Sequence, residues 1–417
     1  MTQKKAALKF VILLGIVSLC ADATYEGARS ITGAFLGVLG ASGTVVGLVA
    51  GLGELIGYGL RLLTGYLSDR MRKYWQMTTL GYLINTAAVP LLALAGRWEI
   101  AAGLMIAERT GKAIRTPPRD VLLSHAAMLV GRGFGFGLHE AMDQIGAVLG
   151  PLMVAAMLYL QQGYQGGFAI LAMPAVLGLS ILVVGQKIYP NPREFEPKAL
   201  DLVFKGLPKI FWIYLGAIAL VAAGYADFAL IAFHFQQTAI GSQDEIPLLY
   251  ALAMGIDAIA ALAFGHWFDR IGFTSLTLAI LLSSLFAPLV FLGNYVMAFI
   301  GMVLWGIGMG AQESIAKAAV TGMVPAEKRG SAFGIFNTGY GLAWFSGSAL
   351  MGFLYDRSLN TLVWFSVAVQ LVAILILLLV QREIHRDLKC KNRRRAMRAS
   401  LYEKLLRIYK ARCLKNL

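Results

Sequence analysis

Twelve long apolar runs, separated by short polar punctuation, dominate the chain. They lie near 8–38, 44–64, 75–96, 98–117, 133–160, 166–188, 210–238, 246–267, 274–292, 294–322, 331–354 and 359–381. A helix needs roughly 20 apolar residues to cross the hydrocarbon core of a bilayer. Backbone polar groups in that core must be satisfied within the segment, which leaves helices as the simplest reading of such runs. An all-α membrane protein with twelve transmembrane helices is therefore expected. The composition agrees: of 417 residues, 58% are hydrophobic and 14% charged, and the mean hydropathy is +0.67. Soluble domains run nearer 45–50% apolar and about 25% charged. An ordinary soluble enzyme, a disordered chain and a cytosolic nucleic-acid binder are excluded.

The runs divide into an N-terminal bundle (1–188), a charged linker (189–209), a C-terminal bundle (210–381) and a basic tail (382–417). The tail holds thirteen Lys/Arg and three acids, so it supplies most of the +14 net charge. Contact with the anionic inner leaflet explains such a tail without invoking nucleic acid. Its segment 396–411 has an amphipathic pattern suited to the membrane interface. No cleavable signal peptide is evident, because the first apolar run continues past Asp22. With the N-terminus inside, 29 of the 37 basic residues fall on the cytoplasmic side and only Arg97 and Arg357 on the other. The positive-inside rule then places both termini in the cytoplasm. Cys20, Cys390 and Cys413 are too few and scattered for a disulfide framework or zinc site.

The halves echo one another. Gly65-Tyr66-Leu67-Ser68-Asp69-Arg70 recurs 200 positions later as Gly265-His266-Trp267-Phe268-Asp269-Arg270, and Tyr25 and Tyr225 share that displacement. Gly150 falls on Gly347 under a related displacement of 197. A third Gly-x-x-x-Asp-Arg, Gly352 to Arg357, follows the eleventh run on the opposite face. Parallel halves that contain inverted triplets describe one transporter architecture.

On these residues the chain resembles the major facilitator superfamily over 8–381. The superfamily signature loop is present as Gly65, Leu67, Asp69, Arg70 and Lys73, with Arg72 where a second glycine is usual; the second copy keeps it as Gly272. The resemblance implies two pseudo-symmetric six-helix bundles, alternating access, and a gating role for this loop and for Gly265, Asp269 and Arg270. Arg70, Lys73 or a charge near Asp120 would answer Asp69. In the fifth run, Gly146, Gly150 and Pro151 resemble part of a motif common in drug:proton antiporters. Small residues four apart also allow close helix packing without any such role.

Ionisable residues at bilayer depth are costly and mark function. The first run carries Asp22, Glu26 and Arg29 within a stripe of about 60°, flanked by Tyr25. Two carboxylates one turn apart repel, which suits proton exchange; a structural Glu26–Arg29 pair is the alternative. Glu140 and Asp143 are second candidates for proton coupling. In the fourth run, Glu108, Lys112 and Arg115 share a stripe, so the cations either face an anionic substrate or pair with Glu140 and Asp143. Pro117-Pro118 is expected to end or kink that helix. Glu54, Arg61, Asp227, Asp257 and a Glu313–Lys317 pair complete the intramembrane charges. The cavity set is Tyr25, Arg29, Glu54, Lys112, Arg115, Tyr225 and Asp227, and binding is expected to be dominated by the N-terminal half.

No phosphate-binding loop, nucleophile–base pair or metal-ligand spacing is present. No cofactor or metal is expected, and the chain does not read as an enzyme. The expectation is a monomeric secondary transporter of the bacterial cytoplasmic membrane whose partners are a small-molecule substrate, protons and lipid. Proton-coupled efflux leads, ahead of uptake or facilitated passage of an organic anion, and of a transporter-shaped sensor that moves nothing.

Overall fold

The structure is a computed structural model and describes residues 3–189, 206–325, 328–383 and 386. The amphipathic segment 396–411 and nearly all of the linker and tail lie outside the described residues. Helices α1 (Gln3–Val38), α2 (Gly43–Met71), α3 (Tyr74–Leu91), α4 (Trp98–Val130), α5 (Arg132–Tyr159), α6 (Gly163–Ile170) and α7 (Ala172–Ile188) form the first half. The second half contains α8 (Lys209–Gly224), α9 (Phe228–Thr238), α10 (Glu245–Ile271), α11 (Phe273–Ser283), α12 (Phe286–Phe291), α13 (Tyr295–Met323), α14 (Arg329–Arg357) and α15 (Leu359–Glu383). No β-strand occurs among the described residues.

Ten helical stretches are long and apolar enough to cross a membrane. Three of them join a broken pair: α6 with α7, α8 with α9, and α11 with α12. Two further long helices stand beside these ten. One is α4, loaded with Glu108, Arg109, Lys112, Arg115, Arg119 and Asp120; the other is the Gly- and Ser-rich α14. The arrangement is consistent with twelve passes. Large apolar side chains such as Leu177, Leu262 and Leu375 are exposed. Such a surface is satisfied by hydrocarbon and would be a liability in water.

Without a hydrophobic force between helices in lipid, close packing of small residues holds a bundle together. Gly146 lies against the Leu19 carbonyl and Gly150 against the Ala23 carbonyl, so α5 meets α1 backbone to backbone. Gly347 of α14 lies against the Ala223 carbonyl of α8 in the same way. The contacts Gly150–Ala23 and Gly347–Ala223 repeat the internal displacement in three dimensions.

Helix α4 runs through Pro117 and Pro118 to Val130, so the prolines do not end it near 117. A proline inside a helix frees the carbonyl four residues earlier. Here that carbonyl belongs to Ala113, and the Thr64 hydroxyl of α2 donates to it at 2.8 Å. Neighbouring side chains that re-satisfy the backbone let transmembrane helices keep internal prolines. At the turn after α2, Arg72 sits at φ 53, in the left-handed region, where its N–H closes on the Ser68 carbonyl at 2.8 Å. That geometry explains why glycine is usual at this point; the second copy has Gly272 at φ 61.

Candidate functional site

A cavity of about 1150 Å³ lies between the halves, walled by α1, α2, α4 and α5 on one side and α10 and α13 on the other. Its lining extends from the middle of these helices towards the end of the bundle that carries the α2–α3 and α10–α11 turns. At the opposite end the halves close. Gly33 of α1 packs on the Ala229 carbonyl of α9, and Gly47 of α2 on the Ser348 carbonyl of α14.

Asp356 at the end of α14 fastens this closed end. Its carboxylate accepts from Gly43 N at 2.8 Å, Thr44 N at 2.8 Å and the Thr44 hydroxyl at 2.6 Å, and so caps α2. A carboxylate at a helix N-terminus satisfies free N–H groups and answers the positive end of the dipole. Asp356 belongs to the third Gly-x-x-x-Asp-Arg, and its Gly352 packs against the Gly43 carbonyl. Losing a cap costs about 1 kcal/mol. In a background without the native cysteines, D356A should therefore speed labelling of a cysteine placed at Val49, inside the closed end, by about fivefold. Unchanged labelling would show that the cap does not hold the closure.

The signature loops lie at the other end and are disengaged. Asp69 is exposed and, among the described residues, accepts a hydrogen bond from the Tyr74 hydroxyl at 3.4 Å. Arg70 donates to the Tyr66 hydroxyl at 3.2 Å. Among the described residues no ion pair joins Asp69 to Arg70 or Lys73, and Arg119, beside Asp120, pairs with Asp120 and Asp143 instead. Gly65 and Gly265 face Pro117 and Ser314 respectively, and Asp269 and Arg270 close helix α10.

The charges of α1 form three groups along the cavity. Nearest the closed end, Arg29 pairs with Asp227 at 2.9 Å and with Glu54 at 3.3 Å. Arg109 pairs with the same Glu54 oxygen at 3.3 Å and with Glu108 at 3.3 Å, and Asn85 donates to Glu108 at 2.7 Å. Asp227 is placed for this because it caps α9, accepting from Ala229 N at 3.0 Å after the chain breaks between α8 and α9. In the middle, the Tyr250 hydroxyl of α10 donates to Glu26 across the two halves. The Lys112 ammonium sits 3.7 Å from the centroid of the Tyr25 ring. Towards the open end, Arg115 meets Asp22 at 3.4 Å and lies over Tyr82. Arg119 pairs with Asp120 at 2.8 Å and Asp143 at 3.9 Å, and His139 meets Asp143 at 3.5 Å.

Asp22, Tyr25, Glu26, Arg29, Lys112, Arg115, Glu140 and Asp143 all line the large cavity. Glu26 does not pair with Arg29; Tyr250 takes it, and Asp227 takes Arg29. Of the fourth-run cations, Arg115 chooses Asp22 rather than Glu140 or Asp143. Three expected cavity residues are absent from its wall. Glu54 is held behind it by two arginines, and Asp227 borders a separate small pocket at the closed end. Tyr225 is fully buried among Phe286, Trp305 and Trp344, its hydroxyl on the Trp305 carbonyl. The second half contributes more than expected, with Tyr250, Asp257 and Glu313 on the wall. The side chain of Lys317, the expected partner of Glu313, lies outside the described residues. Asp257 stood out in the sequence as an acid in an apolar run; Tyr250 carried no local signal.

An all-helical membrane bundle of two related halves around a charged central cavity is the form of a secondary transporter. The family model of the Major Facilitator Superfamily matches residues 14–311 and 213–414, and the chain belongs to that superfamily. It is 42% identical over 383 residues to an uncharacterized protein of Mycobacterium tuberculosis, covering 90% of this chain and 94% of that one. It is 28% identical over 384 residues to an uncharacterized MFS-type transporter of Methanocaldococcus jannaschii, covering 89% and 95%. Among solved structures, a bacterial homolog of the human lysosomal transporter Spinster, inward-facing and unoccupied, superposes with a TM-score of 0.73 at 15% identity, covering 93% and 98%. The protein is a membrane transporter by family and is not an enzyme.

Proposed function

We propose that this transporter exports a small solute across the bacterial cytoplasmic membrane in exchange for protons, by alternating access. Twelve passes would put both termini on one side, and the concentration of basic residues outside the spans on that side favours the cytoplasm. In that orientation the cavity faces the cytoplasm, as in a loading state for export. The observation that carries proton coupling is Glu26. It is buried to 7% exposure on the cavity wall, and it links the two halves through Tyr250. A carboxylate there can exchange its proton with the cavity, and its charge state bears directly on a contact between the bundles. Asp22, with Asp143 and Glu140 farther towards the opening, would relay protons to it. The flush α1–α5 contact sets Gly146 and Gly150 against Leu19, Ala23 and Gly27, the residues that flank Asp22 and Glu26 on α1, which would give the antiporter-like motif a mechanical purpose.

A second reading, uptake or facilitated passage of an organic anion, is favoured by Lys112, which lines the cavity and has no ion pair among the described residues. Proteoliposomes with an acidic lumen and an internal pH dye separate the two. Export by exchange predicts lumenal alkalinisation when substrate is added outside to transporters whose cytoplasmic face is outward. Proton movement in the same direction as an anion would overturn exchange in favour of uptake.

A further inference from the structure

We propose that the cavity binds an amphoteric aromatic solute, its carboxylate at Lys112 and Arg61 and its amine at Asp257; this rests on the transport reading above. Lys112 and Arg61 share the wall built by α4 and α2. Each lies against a tyrosine, Lys112 over Tyr25 at 3.7 Å and Arg61 over Tyr58 at 5.0 Å. Neither has an ion pair among the described residues, and the Arg61 Nε is buried without a hydrogen-bond partner. Asp22 and Glu26 face Lys112 from α1 but stay beyond ion-pair distance. A buried cation is costly unless paired, and a ring face answers it only in part.

The opposite wall has the opposite sign. The charged cavity residues of α10 and α13 with described side chains are Asp257 and Glu313, both acids. Asp257 is 2% exposed, and its Oδ1 has no hydrogen-bond partner. Gln144 of α5 hydrogen-bonds the Asp257 carboxylate but carries no charge. The cavity is therefore lined by two cations without an ion pair on one wall and, on the other, by a carboxylate that no cation among the described residues answers. A ligand of one sign would answer one wall and leave the other desolvated. A solute with both groups answers both, and complementarity of that kind gives specificity. The volume, about 1150 Å³, is at the upper end of drug-sized sites. Tyr25, Tyr58 and Tyr250 on the lining provide faces for an aromatic body.

The test measures binding to the purified full chain in detergent. Phenylalanine, diphenylalanine and norfloxacin would each be offered free, as the methyl ester and as the N-acetyl compound. We expect at least one scaffold to bind about tenfold more tightly free than in either masked form. K112Q should abolish the penalty for esterification, and D257N the penalty for acetylation. R61Q and K112R, checked by melting profile, cover the case in which K112Q fails to fold; R61Q should weaken the ester penalty and K112R should keep it. Equal binding of free and masked forms, or no binding by any free form, would overturn the proposal. Amphoteric binding without flux would contradict the transport reading and support the site. Flux of a singly charged solute without amphoteric preference would contradict the site and leave transport standing.

Discussion

Replacing Glu26 with glutamine is expected to abolish substrate-driven proton movement while leaving substrate exchange across the membrane intact. The amide has nearly the same shape, and its carbonyl can still accept from Tyr250, so the contact between α1 and α10 survives. What it loses is the ability to take up and release a proton at the contact between the two halves. Net transport coupled to the gradient needs that step; exchange of substrate for substrate needs only the conformational change. The same lumenal-pH assay, run beside a labelled-substrate exchange assay, reads both quantities. Persistent proton movement in E26Q would move the coupling site to Asp22, Asp143 or Glu140. Loss of both activities would instead give Glu26 a role in substrate binding or closure.

The second large effect is expected at Arg29. This guanidinium holds Asp227 at 2.9 Å and Glu54 at 3.3 Å, and so ties α1 to the start of α9 and to α2. With R29M, Asp227 is left buried and uncompensated, while Glu54 keeps Arg109. Removing one partner of a buried pair costs about 3–5 kcal/mol, because the remaining charge has nowhere to go. The loss should appear as a lower melting temperature in detergent, and as a population shift away from the state closed at the Asp227 end. The double variant R29M/D227N should recover much of the stability, since it removes the stranded charge as well. An unchanged melting temperature for R29M would show that Arg29 is not a structural tie.

The architecture was legible because bilayer-length apolar runs leave a chain few alternatives, and each of the twelve runs falls on one of the long helical stretches described. The α1 acids were legible for the same reason: Asp22 and Glu26 are conspicuous in an apolar run, and both reach the cavity. Pairing was not legible. Glu26 meets Tyr250 and Arg29 meets Asp227 across the two halves, and no local pattern records a contact 224 or 198 positions away. Glu54 and Asp227 resembled cavity residues by charge, but arginines draw them out of it. Tyr225 followed the internal repeat faithfully and yet sits in an aromatic core, whereas its counterpart Tyr25 meets Arg109 and Lys112. That α4 continues past Pro117 was illegible for a related reason, since the compensating Thr64 hydroxyl comes from another helix.

The central claim is that the two halves rock about the cavity, closing one end as the other opens. Distances between spin labels would test it most directly, with one pair at residues 40 and 358 on the closed end and another at 72 and 272 on the open end. Acidification or substrate should lengthen the first pair and shorten the second. If both pairs stay fixed, or both move in the same direction, alternating access is contradicted.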